Sequence, residues 1–327
     1  MSQPLGRAFL GRTGIEVSDF CLGTDYYGSR TSPDMAWTLL DAFTEAGGTF
    51  IDTANIYAAF IPGYVGGESE SVIGSWMNAR GNRDAIVVGT KVAGPYQDVP
   101  GGLRATDVAS ECEKSLRRLQ TSTIDLYYAH VDDWATPLEE ILDGFGKLLQ
   151  SGKIRSVGLS NWQLWRLAEA RLLAEIDGWP LAALEYRHTY LRPTANADFA
   201  PQIAATPELF DFAQAHSLTV VAYSVLLNGA YTRPDRSVPW SYRGPDTDAR
   251  LACLREVAAE LGTTPNQVVL AWLQTAPGCT VIPIIGGSRL EQVQQNLEAA
   301  AVRLSEDQQD RLYAAGAPQP DGEGESP

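Results

Sequence analysis

Two polar side chains near the N-terminus have the types and the spacing of a proton-transfer pair. Asp52 ends the apolar segment Phe50-Ile51, and the phenol of Tyr57 follows five residues later. A carboxylate in this position can also cap a helix, and an apolar residue spaced from an aromatic ring can simply pack in a core. Whether the pair does chemistry therefore depends on the polar residues that follow the other apolar segments.

Further polar groups follow later apolar segments in the same way, at Lys91, at His130 and at Ser160-Asn161. Each has a plain alternative: a lysine after a strand is often a solvated charge, and a lone histidine is often structural. The stretch from Ser160 to Gln163 also has the spacing of a capping box. If the segments are strands of one parallel barrel, however, their ends meet at one mouth and these groups share a cavity.

Such a set of groups can deliver a proton. A phenol has an ordinary pKa of about 10 and is a weak acid at neutral pH, but an adjacent ammonium favours the phenolate and lowers that pKa. We therefore expect Lys91 to lower the pKa of Tyr57, and Asp52 to keep the lysine charged and in place. His130 would orient a carbonyl group that is being reduced.

Composition narrows the choice of partners. The 327 residues include 25 Lys and Arg against 40 Asp and Glu, a net charge of −15, which opposes binding to nucleic acid or to an anionic membrane surface. The four cysteines are scattered without metal-like spacing, so we expect reduced thiols, no metal site and a cytoplasmic protein. The sequence has neither a secretory leader pattern nor a long apolar run, which favours a location inside the cell.

Strand and helix patterns alternate along the chain. A hairpin is predicted over residues 7–17, and several helices are predicted to begin at a Ser or Thr followed by Pro: Ser32-Pro33, Thr136-Pro137, Thr206-Pro207 and Thr264-Pro265. The pairs Thr136 and Glu139, and Thr264 and Gln267, have capping-box spacing. Eight strands are predicted at 20–22, 50–51, 85–88, 124–128, 154–157, 181–184, 219–222 and 280–283.

Eight strand–helix repeats in a chain of this length fit a closed (β/α)8 TIM barrel better than an open sheet. We expect a single domain over residues 1–316, and a Pro-, Gly- and Glu-rich, disordered tail over 317–327. Two long loops, 58–67 and 226–246, follow predicted strands and would lie at the C-terminal mouth of the barrel.

Six motifs in order resemble those of the aldo-keto reductase family, from about residue 5 to about residue 315. They are Phe50-Ile51-Asp52-Thr53-Ala54-x-x-Tyr57, Gly67-Glu68-Ser69-Glu70, Gly89-Thr90-Lys91, Asp125-Leu126-Tyr127-Tyr128-Ala129-His130, Gly152-Lys153-Ile154-Arg155-x-x-Gly158-x-Ser160-Asn161 and Val221-Ala222-Tyr223-Ser224. The hairpin turn and the helix start at Thr136 are similar to the bacterial, aryl-alcohol-dehydrogenase-like members.

The resemblance implies a barrel that binds NADPH across its mouth and transfers hydride between the nicotinamide and a carbonyl or alcohol. It implies that Tyr57 is the general acid, that Lys91 and Asp52 tune it, and that His130 assists. Members that reduce carbon–carbon double bonds have Glu at the position of His130, so carbonyl reduction is favoured. It also implies that Ser160 and Asn161 hold the carboxamide and that Tyr223 stacks on the ring.

The residues support the cofactor independently, because barrels often bind phosphate with the loops after strands seven and eight. The expected contacts in these loops and the helix that follows are Ser224, Leu226, Asn228, Gly229, Ile285, Gly286, Gly287, Ser288, Arg289, Gln292 and Asn296. Gly287-Ser288 is predicted to open a helix that runs to Asn296. An ordinary capping box, Ser288 with Glu291, explains the same residues without a ligand.

The sequence departs from the family pattern at the cofactor. Ala183 stands where a nicotinamide-binding Gln is usual, Gln292 where many members have an Arg for the 2′-phosphate, Gln295 where many have Glu, and Val225 where Pro is common. Arg289 lies at the same helix start, and its guanidinium suits phosphate oxygens. We therefore expect NADPH to be preferred over NADH.

Aromatic side chains near the predicted strand ends are candidates for the substrate pocket: Tyr26, Tyr27, Phe60, Tyr64, Trp134, Trp162 and Trp240. Such a cleft suits keto sugars, aromatic aldehydes or polycyclic ketones, each a small-molecule carbonyl or alcohol substrate.

Two other interpretations of the function stay open. One is a cofactor-binding regulatory barrel subunit with little turnover, and the other is a barrel hydrolase, which would need a carboxylate pair or a metal cluster. The natural substrate, the physiological direction and the oligomeric state are open as well.

Overall fold

The computed structural model describes residues 4–317, and its central feature is a closed barrel of eight parallel strands. This confirms the predicted fold class. Its strands are β3 (Cys21–Gly23), β4 (Phe50–Asp52), β5 (Val87–Val92), β6 (Leu126–Ala129), β7 (Val157–Ser160), β8 (Leu181–Arg187), β9 (Thr219–Tyr223) and β10 (Val281–Ile285). Around the barrel their order is β10-β3-β4-β5-β6-β7-β8-β9.

The predicted N-terminal hairpin is present and closes the end of the barrel at which the strands begin. It pairs β1 (Arg7–Phe9) with β2 (Glu16–Ser18) in antiparallel register. Leu10, Ile15 and Val17 from the hairpin are buried in one cluster with interior side chains of the barrel. The hairpin therefore seals the closed end and leaves the opposite, C-terminal mouth free.

Helices cover the outside of the barrel, mostly one after each strand, because their apolar faces pack on the outward-facing strand residues. They are α1 (Pro33–Glu45), α2 (Glu68–Arg80), α3 (Ala105–Arg118), α4 (Leu138–Gln150), α5 (Leu164–Ile176), α6 (Pro207–His216), α7 (Thr247–Glu260), α8 (Pro265–Leu273), α9 (Leu290–Leu297) and α10 (Glu306–Ala314). None of the helices within residues 4–317 is long and apolar enough to cross a membrane.

Three of the four predicted helix caps are confirmed and one is wrong. Ser32, Thr206 and Thr264 cap α1, α6 and α8 with their hydroxyls, and Thr264 completes its capping box with Gln267. Thr136 does not cap α4, which begins after Pro137 without a side-chain cap. The Thr136 hydroxyl instead donates a 2.7 Å hydrogen bond to Asp133 Oδ2, because that carboxylate is a stronger acceptor within reach.

Some predicted strands differ from the observed ones in their bounds. The third runs over Val87–Val92 rather than 85–88, since residues 83–85 form a 3₁₀ turn, and the fifth runs over Val157–Ser160 rather than 154–157. In both, the strand continues through polar residues that point into the mouth, a feature that apolar periodicity does not detect. Both long loops, 58–67 and 226–246, lie after barrel strands as predicted. Residues 318–327 of the expected tail lie outside the described residues.

Candidate active site

The structure brings Asp52, Tyr57, Lys91 and His130 together at the C-terminal mouth. Asp52 ends β4 and Lys91 lies in the neighbouring strand β5, so both side chains enter the barrel from adjacent positions. Lys91 Nζ lies 2.5 Å from Asp52 Oδ2 and 3.1 Å from the Tyr57 hydroxyl. The Tyr57 hydroxyl lies 3.2 Å from Asp52 Oδ2, and the Tyr57 and His130 rings meet edge to face with centroids 6.2 Å apart.

The ion pair between Lys91 and Asp52 is fully enclosed, with 0% and 1% of the two side chains exposed. Lys91 also donates a 2.9 Å hydrogen bond to the Thr53 carbonyl. A buried charge is tolerated only when it is paired and hydrogen-bonded, and both conditions hold here. The lysine therefore presents a fixed positive charge to the Tyr57 oxygen.

Two acidic residues that the sequence reasoning missed also belong to this cluster. Glu185, on β8, places its Oε2 atom 3.4 Å from Lys91 Nζ and is buried. Asp25 follows β3, is exposed to solvent, and lies near enough to Tyr57 for its charge to act on the phenol. A sequence signal existed for Glu185, because continuing the predicted strand past Leu184 places it beside Ser160 of β7.

The expected lowering of the Tyr57 pKa is wrong for the free protein. The pKa of Tyr57 is raised well above its ordinary value, first by burial and then by the negative charge of Asp52, with Asp25 and Glu185 adding to it whenever they are ionised. One ammonium faces three carboxyl groups, so the field at the phenol favours its protonated form. Burial alone would lower the pKa of Lys91, but Asp52 and Glu185 outweigh it and raise that pKa, so the lysine stays charged.

His130 is neutral in this site. Burial, followed by the positive charge of Lys91, lowers the pKa of His130 to about 3. A neutral imidazole carries one N–H and can donate a hydrogen bond to a carbonyl oxygen without adding charge. The backbone of His130 is held by Val92, which accepts from its N–H at 2.8 Å, and by Asn161, whose Nδ2 donates to its carbonyl at 3.1 Å.

Ser160, Asn161 and Tyr223 form one hydrogen-bonded group beside His130. Asn161 adopts a left-handed backbone with φ of 60°. Its Nδ2 donates to Ser160 Oγ at 2.9 Å, and its Oδ1 accepts from the Tyr223 hydroxyl at 2.7 Å. The alternative capping box from Ser160 to Gln163 is not formed, because α5 begins at Leu164 without a side-chain cap.

The loop after β9 contains Ser224, Leu226, Asn228 and Gly229, and its backbone turns sharply. Ser224, Leu227, Asn228 and Gly229 have φ values of 57°, 47°, 55° and 88°. Non-glycine residues in this region are strained, and such strain concentrates at ligand sites. The loop is adjacent to the one after β10, since the two strands pair in parallel.

The loop after β10 is longer than the sequence predicted, because α9 begins at Leu290 and not at Gly287-Ser288. Gln292 Oε1 accepts a 2.9 Å hydrogen bond from the Ser288 amide, and Asn296 Nδ2 donates a 3.1 Å bond to the Gly286 carbonyl. The alternative capping box of Ser288 with Glu291 is therefore not formed. Ile285 is buried at the end of β10, and Arg289 is exposed at the start of α9.

Five of the seven aromatic candidates for a substrate pocket are exposed on mouth loops: Tyr26, Phe60, Tyr64, Trp134 and Trp240. The Tyr26 and Phe60 rings pack edge to face with centroids 6.0 Å apart. The other two, Tyr27 and Trp162, were placed in the pocket wrongly, since each is only 1% exposed and packs in the hydrophobic core. Although both residues lie near strand ends, burial of their large apolar rings in the core is favourable.

Comparison with known proteins agrees with this geometry. Residues 19–317 match the Aldo/keto reductase family. An uncharacterized oxidoreductase of Bacillus subtilis, YrpG, is 32% identical over 91% of this chain and 92% of its own length. A norsolorinic acid reductase of Emericella nidulans is 31% identical over 90% of this chain and 77% of its own, and an aryl-alcohol dehydrogenase of Pestalotiopsis microspora is 30% identical over 89% and 77%.

The fold has a close counterpart among solved structures. The crystal structure of the thermostable aldo-keto reductase Tm1743 with the inhibitor epalrestat superposes with a TM-score of 0.75 at 27% identity, over 95% of this chain and 100% of that one. The barrel, the cluster at its mouth and the sequence matches all lead to the same assignment: the chain belongs to the aldo-keto reductase family.

Proposed function

We propose that this protein is an NADPH-dependent carbonyl reductase that converts an aldehyde or ketone to the alcohol. The observation that carries the proposal is the position of the Tyr57 hydroxyl, 3.1 Å from the buried ammonium of Lys91 at the open end of the barrel. A phenol so placed can release its proton because the phenolate gains a charged hydrogen bond from the lysine.

Each residue of the cluster has one role in this proposal. The nicotinamide, when bound, supplies a hydride to the carbonyl carbon. Neutral His130 donates a hydrogen bond that orients the carbonyl oxygen, and Tyr57 transfers its proton to that oxygen as negative charge develops there. Asp52 fixes Lys91, so the positive charge is already in place when the phenolate forms. The raised pKa of Tyr57 keeps the acid protonated before the step.

Features of the loops at the barrel mouth support the proposal that NADPH is the cofactor. The backbone at Gly286 is exposed, and a Cβ built there would come no nearer than 3.7 Å to its one neighbour, the Gly23 carbonyl, which leaves space for a phosphate. Arg289 lies at the start of α9, where the helix dipole also attracts anions. These features favour NADPH over NADH, with Arg289 on the 2′-phosphate in place of Gln292. Asn161, Ser160 and Tyr223 would hold the nicotinamide, and Ala183 contributes no contact of its own.

Aromatic carbonyl compounds are the proposed substrates. Exposed rings on the mouth loops, with Tyr26 and Phe60 packed together, offer flat apolar surface. Two of the relatives are named for aromatic substrates, norsolorinic acid and aryl alcohols. We further propose that residues 1–316 act as one domain in the cytoplasm.

The test is a fluorescence titration of the protein with NADPH and NADH, followed by a panel of aromatic aldehydes, polycyclic ketones and keto sugars. We expect tighter NADPH binding and turnover of aromatic carbonyls. Binding without turnover on any carbonyl would identify a regulatory barrel instead, and binding of neither nucleotide would remove the enzyme proposal.

A further inference from the structure

Glu185 is a buried acid whose position the proposed mechanism leaves unexplained. It lies on β8 with its carboxyl beside Lys91, and 3% of the residue is exposed. Its Oε2 atom lies 3.4 Å from Lys91 Nζ, at salt-bridge distance, yet it has no hydrogen-bond partner within residues 4–317. An enclosed carboxylate oxygen without a donor is costly, which requires an explanation.

The charges around Lys91 do not balance if every group is ionised. Lys91 is already paired with Asp52 at 2.5 Å and 2.6 Å, through both carboxylate oxygens. A second carboxylate on the same ammonium would leave a net negative charge in a closed interior. Two carboxylates that share one site do not both ionise easily, and one of them retains a proton.

The titratable groups close enough to interact with the charge of Glu185 come from several barrel strands and the loops after them. They are Cys21, Asp25, Asp52, Tyr57, Lys91, Tyr128 and Tyr223. Lys91 is the only cation among them, and Asp25 and Asp52 are acids. Burial, together with the negative charge of Asp52, raises the pKa of Glu185 well above its ordinary value despite the opposing effect of Lys91.

We propose that Glu185 is a positioning residue that stays protonated and donates its O–H to Asp52. The positive charge of Lys91 is then available to stabilise the Tyr57 phenolate. A protonated carboxyl has one donor, and we assign Asp52, which is paired with the same ammonium, as its acceptor. Asp52 is then held from two sides, by Lys91 and by Glu185. Ionisation of Glu185 would add a negative charge beside the lysine, weaken its stabilisation of the Tyr57 phenolate, and slow proton delivery. The kinetic part of this proposal rests on the proposed function, but the protonation state does not.

The direct test is infrared difference spectroscopy of the purified protein near neutral pH, with carbon-13 labelling of glutamate. The difference between wild type and Glu185→Gln should contain the carbonyl stretch of a protonated glutamic acid, and that band should decline as the pH rises. A difference that contains only carboxylate bands would overturn the proposal, whether or not the protein reduces any carbonyl.

The kinetic test uses two variants whose folding is checked by thermal unfolding. Glu185→Gln keeps the shape and the hydrogen bond of the neutral acid, so we expect kcat near neutral pH within about threefold of wild type. At higher pH the wild-type rate should fall and that of Glu185→Gln should not. Glu185→Leu, which cannot donate to Asp52, should lose at least about tenfold in kcat at all pH values. Superimposable pH profiles for wild type and Glu185→Gln would contradict the proposed role.

Discussion

The hydroxyl of Tyr223 donates a 2.7 Å hydrogen bond to Oδ1 of Asn161. The same amide donates through Nδ2 to the carbonyl of His130 at 3.1 Å. One asparagine side chain therefore connects β9 with the segment that carries the proposed carbonyl-orienting residue. The ring proposed to stack on the nicotinamide is fixed by the residue proposed to bind its carboxamide.

Two substitutions of Tyr223 should separate the contribution of its hydrogen bond to NADPH binding from the contribution of its ring. Tyr223→Phe keeps the ring and loses one hydrogen bond, which is worth about 1 kcal/mol, so the Kd for NADPH should rise roughly fivefold. Tyr223→Ala also loses the ring face and should weaken binding roughly tenfold further. Fluorescence titration measures both values. Tyr242→Phe is the control, because that buried hydroxyl has no partner within the described residues. Equal losses for Phe and Ala would argue against stacking.

The cofactor preference can be tested on α9. Arg289→Gln should raise the Kd for NADPH at least about tenfold and leave that for NADH unchanged, because a charge-assisted hydrogen bond to phosphate contributes roughly 1.5–3 kcal/mol. Gln292→Arg should strengthen NADPH binding, although it removes the acceptor of the Ser288 amide. Titration of both variants with both nucleotides measures the preference. Equal effects of Arg289→Gln on NADPH and NADH would assign the arginine to the shared pyrophosphate.

The barrel and the four clustered residues were predictable from sequence because their signals are local. Apolar strand segments and Ser/Thr-Pro helix starts alternate along the sequence and predict the strand–helix repeats. The C-terminal ends of the parallel strands must then meet at one mouth of the barrel. The sign of the pKa shift at Tyr57 was not predictable in this way. It depends on how many carboxyls lie near the phenol in three dimensions, and two of them come from other parts of the chain: Asp25 from the loop after β3, and Glu185 from β8.

The side-chain positions that the sequence predicts wrongly depend on which of several possible partners a residue contacts in the folded protein. Tyr27 and Trp162 lie next to strand ends but turn into the core, because burial of a large ring is favourable. Thr136 has a capping sequence, yet its hydroxyl bonds to Asp133. Such outcomes depend on which partner is nearest in three dimensions, and the order of residues does not contain that information.

The two carboxyls on Lys91 should compensate for each other. In Asp52→Asn the lysine keeps Glu185 at 3.4 Å, which can then ionise and restore a buried ion pair. We expect Asp52→Asn to lower kcat by about tenfold, and Asp52→Asn with Glu185→Gln to lower it by at least fivefold more than the product of the single effects, a coupling of about 1 kcal/mol. Steady-state kinetics on one aromatic aldehyde measures the cycle. Strictly multiplicative effects would mean that Glu185 does not substitute for Asp52.

Asp25 should disfavour negatively charged substrates. It is the exposed acid of the cluster and lies near enough to Tyr57 for its charge to act on the phenol, so a carbonyl compound bound there meets its charge. Like charges at about 4 Å repel by roughly 1–4 kcal/mol between bulk water and a protein surface. Asp25→Asn should therefore raise kcat/KM for para-carboxybenzaldehyde at least about fivefold, with little change for neutral para-carbamoylbenzaldehyde. High salt should reduce the difference for wild type. An equal change for both aldehydes would show a steric effect.

His188 should make the fold less stable in acid. Burial, followed by the charge of Arg250, lowers the pKa of His188 from 6.5 to about 4. Between these values the unfolded chain binds a proton that the folded protein does not, so the free energy of unfolding falls as the pH decreases through this window. The loss is at most about 1.4 kcal/mol for each pH unit, and Glu185, whose raised pKa acts with the opposite sign, reduces the net slope. Urea unfolding at several pH values should therefore give a shallower decline in the free energy of unfolding with decreasing pH for His188→Gln than for wild type.

His216→Gln is the matched control, because His216 is more open to solvent and its pKa is lowered less. Identical acid slopes for wild type and His188→Gln would show that folding does not lower the pKa of His188.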